Sequence, residues 1–344
     1  MSGAGGEPTI LDDAIVRGLL PRREARGHKG TSGTLLVVAG SLDYLGAALL
    51  TVRAAYRAGA GLVRLAVPTS LQPLVAGRVV EVVTIGLPET DIVGEVDAAA
   101  ALDQLLDLDH DAAVVGPGLR PGLSTVDLVL DYLAAEGERA PVVVDAEGLN
   151  SLSTVEAWWE RVGRPCVLTP HVGELTRLMA AAGERFETAH PDLSTDDDAR
   201  AATVSRAAIA WGQVVVLKGA RTVIAGGEPD PDSVAVAPYE NPALATAGTG
   251  DVLAGTIGAL LAQGCPPVDA ARVGVYLHGA AGEVLRERFG AAGVIASDLP
   301  DEIARVRRRL ELASERARSG RRLGFEVGPV GDGEPPSEQQ GAPS

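Results

Sequence analysis

Lysine is almost missing from this chain. Of thirty basic residues only Lys29 and Lys218 are lysines, and the rest are arginine. A coding bias toward arginine explains the scarcity by itself. Both surviving lysines nevertheless lie beside glycine, in HKGTSG and LKGART, where a compact, mobile ammonium does what a planar guanidinium cannot. Aromatic residues are also scarce, at 3%, so a core must be built from Ala, Val, Leu and Ile. With 46% hydrophobic residues over 344 positions there is enough of them to bury.

Cysteine is rare too. Cys166 and Cys265 are far apart and neither belongs to a CxxC pair, which excludes a disulfide framework and predicts two buried free thiols. No apolar run approaches the roughly 20 residues that cross a bilayer. The opening MSGAGGEPTILDD has neither a basic region nor an apolar run, so no signal peptide is expected and the chain reads as cytoplasmic. Positive charge is short overall, the formal net charge being −16. That argues against nucleic-acid partners and against an anionic membrane surface. A bound phosphate would need local donors, because the global field repels it.

What is present is alternation. Residues 1–27 read as a loosely packed lead-in with one helical stretch around Ile10 to Leu20. Residues 28–315 read as one domain, in which continuous apolar runs alternate with helical stretches. The runs are TLLVVAG (34–40), LVRLAVP (62–68), AAVVGPG (112–118), PVVVDAEGLN (141–150), CVLTPH (166–171) and VVVLKGA (214–220). This pattern predicts βαβ units and a mostly parallel, doubly wound sheet flanked by helices. Val223 to Pro238 holds shorter pieces that suit an antiparallel edge. Glu184 to Arg200 is polar and acidic, as in a surface loop leading into a helix. Residues 316–344, rich in Gly, Pro, Ser, Glu and Gln from about Ser319, read as a disordered tail.

In open α/β sheets ligands bind at the carboxyl ends of the strands. Here those ends carry AGS after Val38, GPG after Val115, Asp145 with Asn150, TPHVGE after Leu168 and KGART after Leu217. The segment NPALATAGTGDVLAGTIGALLAQG (241–264) is the most informative. Its small-residue turn feeds a helix whose free N–H groups and dipole make an anion site. It is not a P-loop, since GxxxxGK[ST] is absent. Asp251, in the first turn, reads either as an ordinary capping carboxylate or as a general base facing a substrate hydroxyl. His171 reads as a structural histidine or as a substrate contact. Lys218 ends an apolar strand, so it needs an anionic partner, either a carboxylate or a phosphate.

Taken in order, HKGTSGTLLVVAGSLDYLGAALL, YRAGAGLVRLAVP, VVGPGL, VVDAEGLN, LTPHVGEL, VVLKGART and NPALATAGTGDVLAG resemble the ADP- or ATP-dependent NAD(P)H-hydrate dehydratases, over roughly residues 28–290. The resemblance implies a ribokinase-like fold and repair of NADHX and NADPHX, the hydrated forms of the reduced nicotinamide cofactors. The added hydroxyl is phosphorylated, from ADP in most bacterial members, and phosphate then leaves as the ring double bond returns. It implies Gly46, Ala47 or Ala48, Gly118 and His171 against the hydrated nucleotide, and Asp251 at its hydroxyl. Lys218, Gly219, Ala220, Arg221 and Thr222 would line the nucleotide phosphates, with Gly248, Thr249 and Gly250 completing that side. Mg²⁺ is implied as cofactor without a dedicated protein cage, and a homotetramer as the assembly.

Two positions depart from the family pattern: Glu147 stands where the family usually has aspartate, and Arg120 where glycine is common. The 27 residues ahead of HKG are too few for the epimerase domain many members carry, which implies that an upstream epimerase is a separate protein or absent. Two other readings compete. A plain kinase of the same fold, acting on a hydroxymethyl heterocycle, shares the GTGD turn but not the HKG, GAA and TPHVGE segments. A regulator that has lost catalysis is disfavoured by the presence of Asp251 with its flanking glycines.

Overall fold

An all-apolar strand belongs where helices cover both of its faces, and the runs read above fall in such places. The computed structural model describes residues 7–23, 26, 29–135, 140–183, 192–228 and 234–322. Among them are ten strands: β1 (Thr9–Ile10), β2 (Thr34–Val38), β3 (Leu62–Pro68), β4 (Val83–Leu87), β5 (Ala112–Val115), β6 (Val142–Val144), β7 (Cys166–Leu168), β8 (Val214–Leu217), β9 (Val223–Ala225) and β10 (Ala235–Val236). They form one sheet in the order β1-β10-β9-β8-β7-β6-β5-β2-β3-β4. β2 to β8 pair in parallel, while β9 runs antiparallel to both β8 and β10.

The pleat sends alternate side chains to opposite faces. Leu35 and Val37 join one buried layer, with α1 (Asp13–Leu19), α2 (Leu45–Arg57), α9 (Thr249–Ala262), α10 (Pro267–Phe289) and α11 (Leu299–Arg322). Leu36 and Val38 join the other, with α4 (Ala98–Leu106), α5 (Leu123–Ala134), α6 (Glu147–Leu152), α7 (Val172–Ala181) and α8 (Asp197–Trp211). The short α3 (Gln72–Ala76) contributes Val75 to the first layer. α9 is apolar nearly all round and buried along its length, as a central helix should be. Both cysteines are free and buried. No helix among the described residues is long and apolar enough to cross a membrane.

The fold departs from the sequence reading in three places. Residues 9–20 are no loose lead-in: β1 pairs with β10, and Leu11 and Val16 are buried. α11 continues to Arg322, into the span expected to be a tail, and residues 323–344 lie outside the described residues. β4 was not foreseen. It is the opposite edge of the sheet and only partly buried. In the acidic segment 184–200, residues 184–191 lie outside the described residues; beyond them Asp196 caps α8 by accepting from the Ala199 amide at 2.9 Å.

The chain walks from β2 to β4 toward one edge, then restarts at β5 on the other side of β2. The sheet thus has its topological switch point between β2 and β5, where a crevice opens at the carboxyl ends of the strands.

Candidate active site

At the switch point the Gly40 amide donates to the Pro117 carbonyl at 2.8 Å, tying the two strand ends together. Gly118 follows with φ 66°, and a Cβ there would stand 2.6 Å from the Tyr44 carbonyl and 2.8 Å from the Ala47 methyl. Only glycine lets this loop lie against the first turn of α2. Gly46 is exposed and Ala47 half-buried at that turn. Ala48 does not belong with them: it is fully buried, its methyl packed where a side chain at Gly40 would be. The helical period turns it toward the core.

Next along the edge stands a charged cluster. Lys218 Nζ lies 2.6 Å from Asp145 Oδ1 and 3.8 Å from Glu174 Oε2. Of the two anionic partners considered for Lys218, a carboxylate or a phosphate, the one in place is the carboxylate of Asp145. Burial works against its charge, but the carboxylates of Asp145, Glu174 and Asp251 outweigh burial and raise its pKa. His171 caps α7, its Nδ1 accepting from the amides of Gly173 and Glu174 at 3.0 and 3.3 Å. Glu174 returns the favour by accepting from the His171 amide at 2.8 Å, a capping box. The ring remains more than half exposed, with Nε2 3.5 Å from Glu174 Oε1.

α9 begins at Gly248, with φ 91°, and no side chain caps it. The capping role considered for Asp251 is thus absent. Its carboxyl is instead pushed up to about 7, chiefly by burial and then by the Asp145 charge, with Lys218 opposing. Thr249 is fixed from two sides: its hydroxyl donates to Leu244 and Thr246 carbonyls, and its own carbonyl accepts from His278 Nε2 at 3.0 Å. Gly250 lies beside the ion pair, where a Cβ would stand 3.5 Å from Lys218 Nζ and 3.8 Å from Asp145 Oδ2.

A cavity of about 180 Å³ joins Lys218, Gly219, Ala220 and Thr222 to Thr249 and Gly250. Arg221 is not part of its wall; its guanidinium pairs with Asp197 at 3.0 Å. Among the wall residues that the sequence reading missed are Tyr239, Asn241 and His278, which carry polar groups. Asn241 stood inside the quoted NPALATAGTGD segment and could have been found there. Tyr239 and His278 carried no local signal. His28, and the side chain of Lys29, lie outside the described residues. Among the described residues no group of three or more His, Cys, Asp or Glu could hold a metal ion.

The mostly parallel sheet flanked by helices is the fold of a ribokinase-like superfamily protein from Enterococcus faecalis, which superposes with a TM-score of 0.71 at 22% identity, covering 90% of this chain and 98% of that one. The family of this chain can be named more closely. The family model for NAD(P)H-hydrate dehydratase matches residues 35–305, and the chain belongs to that family. It is 38% identical over 292 residues to the ADP-dependent (S)-NAD(P)H-hydrate dehydratase of Neisseria meningitidis, covering 84% of this chain and 89% of that protein. It is 42% identical over 304 residues to the bifunctional NAD(P)H-hydrate repair enzyme Nnr of Moorella thermoacetica, covering 88% of this chain and 54% of that protein. The chain thus spans about half the length of such bifunctional relatives. Among solved structures, the ADP/ATP-dependent NAD(P)H-hydrate dehydratase of Bacillus subtilis, co-crystallised with ATP/Mg²⁺, superposes with a TM-score of 0.71 at 30% identity, covering 88% of this chain and 99% of that one.

Proposed function

We propose that this protein is an ADP-dependent dehydratase that returns the S epimers of NADHX and NADPHX to NADH and NADPH, releasing AMP and phosphate. One observation carries the reading: Asp251 caps nothing, is buried to a pKa of about 7, and stands on the sheet edge that also holds the Gly118 crevice. A carboxylate of that basicity accepts a proton near neutral pH.

In this reading the hydrated nicotinamide rests against Gly46, Ala47 and Gly118, with the exposed ring of His171 on the rim. The nucleotide occupies the side formed by Lys218, Gly219, Ala220, Thr222, Gly248, Thr249 and Gly250. Arg221 contributes through its backbone, its side chain being paired with Asp197. Asp251 takes the proton of the added hydroxyl as that oxygen bonds to the terminal phosphorus of ADP and the bond to AMP breaks. The free amides of the α9 turn hold the phosphoryl group in transit. Phosphorylation turns a poor leaving group into a good one. The ring nitrogen's lone pair expels phosphate, and loss of a ring proton restores the double bond. Lys218 acts by pairing with Asp145 beside the phosphoryl path.

Mg²⁺ fits this donor set only as an ion carried by the nucleotide. Asp145 Oδ1 is engaged by Lys218, while Oδ2 faces Gly250. Such an ion commonly binds through phosphates plus one or two carboxylates, and supplies charge neutralisation. The S epimer would come from a separate epimerase upstream, and the working assembly would be a cytoplasmic homotetramer.

Phosphorus NMR of a reaction with NADHX and ADP tests the chemistry. AMP and free phosphate should appear in equal amounts with NADH. A stable phosphorylated product without NADH would instead identify a plain kinase.

A further inference from the structure

Three glycines on α10 bring it unusually close to its neighbours. A Cβ at Gly274 would stand 2.5 Å from Ile257 Cγ1 of α9, one at Gly279 2.2 Å from the Tyr239 ring, and one at Gly282 2.8 Å from Leu244. Every one of these contacts would force a shift. The close approach sets His278, nine-tenths buried, against the first turn of α9. Its Nε2 lies 3.0 Å from the Thr249 carbonyl oxygen. That oxygen can only accept, so Nε2 carries the proton and Nδ1 the lone pair. Burial, with a smaller push from Lys218, lowers the imidazole to about 4 and keeps it neutral.

The consequence follows from peptide geometry. The Thr249 carbonyl and the Gly250 N–H belong to one planar, trans unit and point in opposite directions. A donor that grips the carbonyl therefore also aims the amide. We propose that His278 is a positioning residue for the anion-binding turn: by holding the Thr249 carbonyl it fixes the direction in which the Gly250 N–H meets a nucleotide phosphate. The inference rests on the nucleotide reading above. Glycine at 250 makes such a hold useful, because the residue has no side chain to restrict its own backbone.

The test is AMP binding to the full chain by calorimetry, with melting temperature measured on each preparation. His278→Met has similar length and no donor, and flexible methionine fills such space with little strain. It should weaken AMP binding about tenfold, the upper range for one neutral hydrogen bond. His278→Gln, whose amide nitrogen reaches about as far as Nε2, should restore most of that loss. A purely structural histidine would lower the melting temperature and leave AMP affinity of the folded protein unchanged, which overturns the inference. Imidazole nitrogen NMR of the parent gives a second check that needs no variant. An Nε2–H tautomer is expected, and an Nδ1–H tautomer overturns the inference. Absence of AMP binding by the parent overturns the nucleotide reading and this inference with it; parent-like binding by His278→Met overturns this inference alone.

Discussion

Asp251 and Lys218 are ionisable residues of opposite sign whose roles were open in the sequence; burial raises the carboxyl of the first, and nearby carboxylates outweigh burial at the second. Burial and the Asp145 charge together lift Asp251 from the ordinary 3.8 to about 7. The parent kcat/KM for NADHX should therefore rise with pH through about 7, as the free enzyme's base ionises. Asp251→Asn should lower kcat at least about 10²-fold while AMP binding is kept; activity within a few-fold of the parent removes Asp251 from the mechanism. Stability moves the other way. A carboxyl raised in the folded state supports folding below its unfolded pKa, and that support is lost as pH climbs through the folded value. The melting temperature of Asp251→Asn relative to the parent should thus grow between about pH 4 and pH 7 and level off above, whereas a constant difference would show an unshifted carboxyl. Lys218 belongs to Asp145, 73 residues away in the chain, so its partner was not legible locally. Lys218→Ala should cost about 3 kcal/mol or more in urea unfolding, because Asp145 is left buried and unpaired. The double variant Lys218→Met with Asp145→Asn should cost less than the two single changes summed.

At the scale of elements, each half of the site is a glycine turn that feeds a helix, and the two halves can be perturbed separately. Gly118→Ala would drive a methyl to 2.6 Å from the Tyr44 carbonyl at a φ of 66°. It should raise KM for NADHX and leave that for ADP nearly unchanged. Gly248→Ala, at φ 91° and 2.6 Å from Leu50, should do the reverse, with strain of about 1–3 kcal/mol in the melt. Steady-state kinetics with each substrate varied in turn checks both; parallel changes in the two KM values would mean one shared site. The turns and their helices were legible because small residues followed by apolar helical spacing have few other structural uses. β1 was not, being two residues long, nor was β4, whose face is half exposed. α11 runs past the expected domain end at residue 315, as far as Arg322. His278 was invisible for a different reason: what gives it meaning is the distance between two helices, which no local pattern records.

For the whole molecule, alternation of apolar runs and helices announced a doubly wound parallel sheet, but not the order of its strands. That β5 returns on the far side of β2 is fixed by which helix covers which face, and it is this return that creates the crevice beside Gly118. In the proposed function hydrated dinucleotide lies there and nucleotide across α9, so repair needs both at once. The most direct measurement is incubation of the pure protein with NADHX and ADP, with ATP, or with no nucleotide, following the absorbance of the reduced nicotinamide. Absorbance should return with ADP, less readily with ATP, and not at all without a nucleotide. NADHX left unchanged in the presence of both nucleotides, or repaired in their absence, would contradict it.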